Sequence, residues 1–210
     1  MKNRSGIYVI MLIILLGVLI WSGINPAKGG IWFFEVIPGV VLIIYLIATY
    51  RKFPLSPITY CFVFLAAIIM FIGGHYTYGG MPLFDQLKKV FDLSRNHFDR
   101  VGHFFQGTVI TAFLLEITTR NHIIQKKYIP IFVVACSLAF SAGFEIFEFL
   151  IGRIFSSNLE EFLGTQGDIW DSHWDMVCAL AGSLFFLLVF RKKQQQQFQQ
   201  IKKTPNTDFD

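Results

Sequence analysis

The sequence predicts an all-α protein: a polytopic membrane helical bundle of about six transmembrane helices, with both termini cytoplasmic. Three observations predict it. Of the 210 residues, 54% are hydrophobic and only 15% charged, apolar runs long enough to span a bilayer recur along the chain, and Lys and Arg gather at alternate ends of those runs. Soluble domains carry roughly 25% charged residues. A soluble core of this size cannot conceal 24 Phe and a mean hydropathy of +0.54, so lipid is the natural solvent for the excess. The net charge of +4 could suggest a nucleic-acid surface. The basic residues instead stand in short groups beside apolar runs, which membrane orientation explains, so membrane lipids and no nucleic acid are the expected partners.

A bilayer core of about 30 Å needs around 20 residues at 1.5 Å each. Helices are expected because an open sheet would leave backbone groups unpaired in hydrocarbon. The first run extends from about Ile7 to Ser22, the second from Ile31 to Tyr50 and the third from Leu55 to Gly74. The fourth covers Asp99 to Thr119, the fifth Tyr128 to Phe155 and the sixth His173 to Phe190. Lys2 and Arg4 give the first run the flank of a signal peptide, but no small-residue cleavage site follows Trp21-Ser22-Gly23, and the segment is expected to be retained. Residues 1–190 thus form one six-helix transmembrane domain. The stretch 191–210, rich in Lys, Gln, Thr, Asn and Asp, is expected to be a disordered cytoplasmic tail. Cys61, Cys136 and Cys178 each fall inside apolar sequence without metal-type spacing and are read as small buried hydrophobes.

Orientation follows from the basic residues. With a cytoplasmic amino terminus, twelve of the 18 Lys and Arg lie on the inner side of a plasma (inner) membrane, and eleven of the 14 acids lie on the outer side. The rule concerns Lys and Arg, so the clustering of acids is additional information about a site.

Three segments carry that cluster. The loop after the third run opens His75-Tyr76-Thr77-Tyr78 and closes Asn96-His97-Phe98-Asp99-Arg100-Val101-Gly102-His103. If Asp99 opens the fourth helix, Asp99 and His103 share one face a turn apart, with Gln106 beside them. Helix N-capping accounts equally for Asp99 alone. The fifth run contains Glu145 and Glu148 in otherwise apolar sequence. A carboxylate at membrane depth costs several kcal/mol unless it is paired, protonated or facing a polar cavity, so both are expected to point inward. Asp168, Asp171 and Asp175 are spaced i, i+3 and i+7, and form one acidic stripe if the sixth helix starts by Asp168. Such a stripe calls for a cation: Arg100, His103, His75 or a divalent metal. Glu35 is a further candidate polar partner. Trp170, Trp174, Tyr50 and Tyr60 read as interfacial anchors, and His122 as ordinary surface.

The chain resembles the YjdF family of small bacterial inner membrane proteins. The residues that carry the likeness are His75-Tyr76, Asn96-x-x-Asp99-Arg100-x-x-His103, Glu145-x-x-Glu148 and Gly164-x-Gln166-Gly167-Asp168-x-x-Asp171-x-x-x-Asp175-Met176. It covers nearly everything except the tail, and implies a multi-pass inner membrane protein without an assigned reaction. A weaker likeness is to VanZ-like proteins, a membrane family associated with glycopeptide resistance that has a D-x-x-D-x-x-x-N-x-x-G pattern. Asp168 and Asp171 fit it, whereas Asp175 stands for the Asn and Cys178 for the Gly. That likeness implies a cell-envelope setting.

The leading expectation is an enzyme at the outer leaflet. Its expected catalytic groups are Glu145, Glu148, Asp175, His103 and Asp99, acting as general acids and bases. Arg100, His75, Tyr76 and Gln166 are the expected substrate contacts, with Arg100 pairing a phosphate or carboxylate of a lipid or cell-envelope precursor. Asp168, Asp171, Asp175 and His103 are the expected ligands of a divalent metal such as Mg, Mn or Zn. A cation or proton transporter using the same acids as an entry is the rival from another class. A structural or accessory membrane protein is the third reading. Glu116 is the single intramembrane acid expected in the inner half, which favours a one-sided site over a conducting path. Ser141-Ala142-Gly143 and Ala179 to Ser183 are read as helix-packing surfaces.

Overall fold

Apolar sequence without water to satisfy its backbone closes into helices. The computed structural model describes residues 2–155 and 165–203, and the regular structure among them is helical throughout. In order come α1 (Lys2–Ser22), α2 (Gly29–Thr49), α3 (Pro57–Tyr76), a 3₁₀ turn (Tyr78–Gly80), α4 (Pro82–Val90), α5 (Phe98–Arg120) and α6 (Ile129–Phe155). The last element is α7 (Asp171–Phe185), which runs through a π turn (Phe186–Phe190) into α8 (Arg191–Lys203). Six helical segments are long and apolar enough to cross a membrane, the last being Asp171–Ile201. The six expected runs are thus six helices of a polytopic bundle.

Two expectations change. Arg191–Lys203, expected to be a disordered tail, is a helix continuous with the sixth span, and its Gln194 and Phe198 are buried. Composition alone misread it, because one glutamine with buried partners holds the segment. The Gln194 amide donates to the Ala112 carbonyl (2.7 Å) and the Thr59 hydroxyl (2.9 Å). Residues 204–210 lie outside the described residues. In addition, α7 begins at Asp171. Asp168 therefore sits in the turn before the helix, and the stripe of three acids is reduced to Asp171 and Asp175.

At the centre is α5, packed against α3, α6 and α7, while α1 and α2 lie outside and pack on α3. The closest approach is between α5 and α7. A Cβ on Gly107 would lie 1.9 Å from the Ala179 carbonyl oxygen, and one on Gly182 would lie 1.9 Å from that of Phe104. Only glycine lets the two backbones meet at this separation. Thr111 and Ser183 hydroxyls hydrogen-bond across the seam at 2.6 Å, and Thr108 donates to the Gly182 carbonyl at 3.2 Å. The Ala179 to Ser183 stretch is thus a packing surface, and it fixes the register between the first turns of α5 and α7, which carry the acids.

Candidate functional site

At the end of the bundle formed by α4, the first turns of α5 and α7, and the second half of α6, the polar residues separate into two layers. The outer layer is a clasp. Asn96 accepts the Phe98 N–H at 3.1 Å through its side-chain oxygen, starting α5. Its side-chain amide donates to the Met81 carbonyl (3.0 Å) and to Asp85 (2.9 Å), anchoring α4. Gln166 pairs with the Asn96 backbone in both directions, accepting its N–H at 2.8 Å and donating to its carbonyl at 3.0 Å. This side chain, expected to contact substrate, splices the segment before α7 to the segment before α5.

Arg95 completes the clasp. It is buried, bonds Asp171 and lies 3.5 Å from Asp168. Desolvation pulls its pKa down, but the hydrogen bond and charge of Asp171 outweigh this and hold it above the ordinary arginine value. Arg100 donates to Asp168 at 2.8 Å and to His97 Nδ1 at 3.1 Å, with its guanidinium 5.6 Å from the Trp174 ring centre. Asp168 also accepts the Trp170 N–H at 3.0 Å, and that bond, reinforced by Arg100 and Arg95, lowers its pKa. Asp168 and Asp171, expected as metal ligands, are therefore engaged by arginines.

The inner layer is centred on His103, which is 4% exposed. Its Nε2 lies 3.2 Å from Glu145 of α6 and 3.6 Å from Asp99, one turn earlier on α5. Asp99, His103 and Asp175 each bring a ligand-type atom within 4.8 Å of the others, and so do His103, Glu145 and Glu148. The two groups share the histidine. Their bonding is incomplete: Asp175 Oδ1 is buried without a hydrogen-bond partner among the described residues, and Glu145 Oε1 has only the 3.2 Å ion-pair contact with His103 Nε2. Such groups carry a desolvation cost that a bound ion, water or substrate relieves.

Glu35 reaches the same region from α2. With Glu148, Phe144, Phe147 and Ile151 it lines a narrow cavity, and its Oε2 is also buried without a partner. Tyr78 packs between α3 and α5: its ring sits so close to Gly73 and Gly102 that a Cβ there would fall 2.6 Å and 2.9 Å from it. Desolvation, then the charges of Glu35, Asp99 and Glu148, hold its hydroxyl well above the usual phenol value, so it stays neutral.

His75 and Tyr76, the other expected substrate contacts, stand apart. His75 donates through Nδ1 to the Ser22 carbonyl at 3.1 Å and stacks on Trp21, and Tyr76 packs beside it. Both tie the end of α3 to that of α1. The sequence reading therefore names the inner layer (Asp99, His103, Glu145, Glu148, Asp175) and misses Arg95 and Tyr78. The one available signal for Arg95 was an arginine next to a turn-forming Asn96 in a loop between spans.

These features define a class, the multi-pass α-helical membrane protein with a buried carboxylate–histidine cluster near one end of the bundle. A model of the family described as "Predicted membrane protein (DUF2238)" matches residues 7–196, so the chain belongs to that family. It is similar to the inner membrane protein YjdF of Escherichia coli (strain K12), at 39% identity over 185 residues, covering 86% of this chain and 88% of that protein. No solved structure matches the chain.

Proposed function

We propose that the chain is a membrane enzyme whose inner polar layer, at the extracytoplasmic face, holds a divalent cation and carries out acid–base chemistry on a lipid or cell-envelope precursor. The observation that carries this reading is the under-bonded His103 set. Four carboxylates from α5, α6 and α7 converge on one imidazole at membrane depth, and the buried Asp175 Oδ1 is left without a donor among the described residues. Asp99, His103 and Asp175 offer the mixed oxygen and nitrogen donors that suit Mg, Mn or Zn. Glu145 and Glu148, on the facing helix, are placed to take or give a proton beside the ion. Arg100, on the rim, offers a guanidinium to a phosphate or carboxylate. Asp168 and Asp171 act on this site indirectly, by locking the clasp above it.

The opposite half of the bundle favours an enzyme over a conducting path. Its intramembrane acid, Glu116, is 0% exposed and bonded by Ser56, Thr59 and Arg120. The distribution of basic residues supports an external clasp end, and reporter fusions after Arg51 and after Phe91 should then report opposite compartments.

The test compares lipid and lipid-linked precursor pools, by mass spectrometry, in cells lacking the protein and in cells carrying the wild type, Asp175→Asn or His103→Ala at equal protein level. A species should change on deletion and return with the wild type only. Full restoration by both variants overturns the reading.

A further inference from the structure

A second concavity lies at the far end of the bundle from the clasp. Near the clasp, α1 and α2 are tied together, with the Trp32 indole donating to the Ser22 hydroxyl at 3.1 Å and packing on Gly23. Towards the other end they diverge while each stays packed on α3, and a cavity of about 490 Å³ opens between them. That volume falls within the roughly 300–1,000 Å³ of small-molecule sites. Its shaft is apolar, with Leu12 and Leu15 of α1, Ile43 and Leu46 of α2, and Val63 and Phe64 of α3. Its mouth is not. Tyr8 lies 4.7 Å from Tyr60 and 5.9 Å from Tyr50 between ring centres, and the charged residues lining the cavity are Arg51 and Lys52, with no acid among the described lining.

We propose that this groove binds an anionic phospholipid, with an acyl chain in the shaft and the phosphate at Arg51 and Lys52. Three observations carry it. On α1 the lining runs from Ser5 to Leu15, about 15 Å of helix and so half of the ~30 Å hydrocarbon core, the depth of one leaflet. The tyrosines stand where amphipathic rings meet headgroups. The charged side chains of the described lining are basic, complementary to a phosphodiester and favouring lipids of net negative charge over zwitterionic ones. The groove shares no residue with the His103 cluster, so the assignment stands apart from the proposed reaction.

The test is native mass spectrometry of the full chain in detergent, titrated with dioleoyl phosphatidylglycerol or dioleoyl phosphatidylcholine. One phosphatidylglycerol should be retained on the order of tenfold more tightly than phosphatidylcholine. The Arg51→Gln, Lys52→Gln double variant should abolish that preference while still binding both lipids weakly. Ala48 of α2 also lines the cavity, so Leu12→Trp and Ala48→Trp each obstruct it, and whichever keeps the wild-type melting temperature should lose retention of both lipids. Equal affinity of the wild type for the two lipids overturns the proposal, as does undiminished retention by a folded tryptophan variant.

Discussion

Helix α5 carries two buried acid sites, Glu116 near one end and the His103 cluster near the other, 13 residues and so about 20 Å apart along its axis. Glu116 is saturated. It accepts the Ser56 N–H at 2.8 Å, the Ser56 hydroxyl at 2.8 Å, the Thr59 hydroxyl at 2.9 Å and Arg120 at 2.8 Å. Ser56 is the N-cap of α3, so the carboxylate also meets the positive end of a helix dipole. Arg120 in turn donates to the Pro54 carbonyl and lies 3.9 Å over the Phe53 ring. The bonds from Ser56 and Thr59 tie α3 to α5, and Arg120, one turn on along α5, closes the set. Around His103 the carboxylates face one another, and Asp175 Oδ1 is left without a donor among the described residues. Both ends hold acids within the bundle, but Glu116 is a single carboxylate met by an arginine and by donors, whereas four carboxylates share one histidine at the other end. A buried acid with its donors in place holds a fold together, and the proposed ligand would supply what the acids around His103 lack.

Substitutions can break this contrast. The largest effect is expected for Glu116→Ala, which strips α3, α5 and α8 of a shared anchor and should cost about 3–5 kcal/mol, as for one partner of a buried ion pair. Asp175→Asn should leave stability within roughly 1 kcal/mol of wild type or raise it, because relieving like charge at a ligand site commonly stabilises. Thermal unfolding in detergent measures both, and an equal loss in the two variants would erase the distinction. Next in size, Arg95→Ala should cost roughly 1.5–3 kcal/mol through its charged hydrogen bonds. It should also loosen the clasp, read as faster amide exchange at Asp168 to Trp170. Gly107→Ala should cost about 1–3 kcal/mol by forcing a methyl against the Ala179 carbonyl, and should lower metal binding by separating α5 from α7.

The smallest effect concerns pH. Desolvation, then Arg100 and Arg95, lower the pKa of His97. A histidine with a depressed folded pKa contributes stability that is complete above its ordinary value of about 6.5 and is lost as pH falls through the folded value. The stability contributed by His97 should therefore decline as pH falls from 7 to 5, so the melting temperature of His97→Gln should rise relative to wild type over that range. Asp168, also depressed, adds a second decline below about pH 4, its ordinary range. An unchanged slope in His97→Gln would remove His97 from the clasp.

Much of this was legible in the sequence, and what was not has physical reasons. Each spanning run declared itself because lipid imposes length and apolarity on a helix. Glu145, Glu148 and Asp175 declared themselves because acids are conspicuous in apolar sequence, and Asp99 and His103 because their spacing puts them one helical turn apart. Their neighbours were harder. Asp168 looked like part of a stripe because periodicity does not reveal where a helix begins, and α7 starts at Asp171. Gln166 and Arg95 bond across the fold to segments 70 and 76 residues away, a separation no local pattern encodes. Gln194 sat in a polar run whose composition signalled disorder, and only its partners on α3 and α5 make it structural.

The central claim is that the His103 cluster is a ligand site and Glu116 is not. Elemental analysis of the purified full chain, after equilibration with Mn, Zn or Mg and removal of free ion, tests it most directly. The account predicts close to one divalent ion per chain in the wild type and in any Glu116→Gln protein that remains folded, and loss of it in His103→Ala and Asp175→Asn. Wild-type protein that holds no more metal than the His103→Ala variant would contradict it.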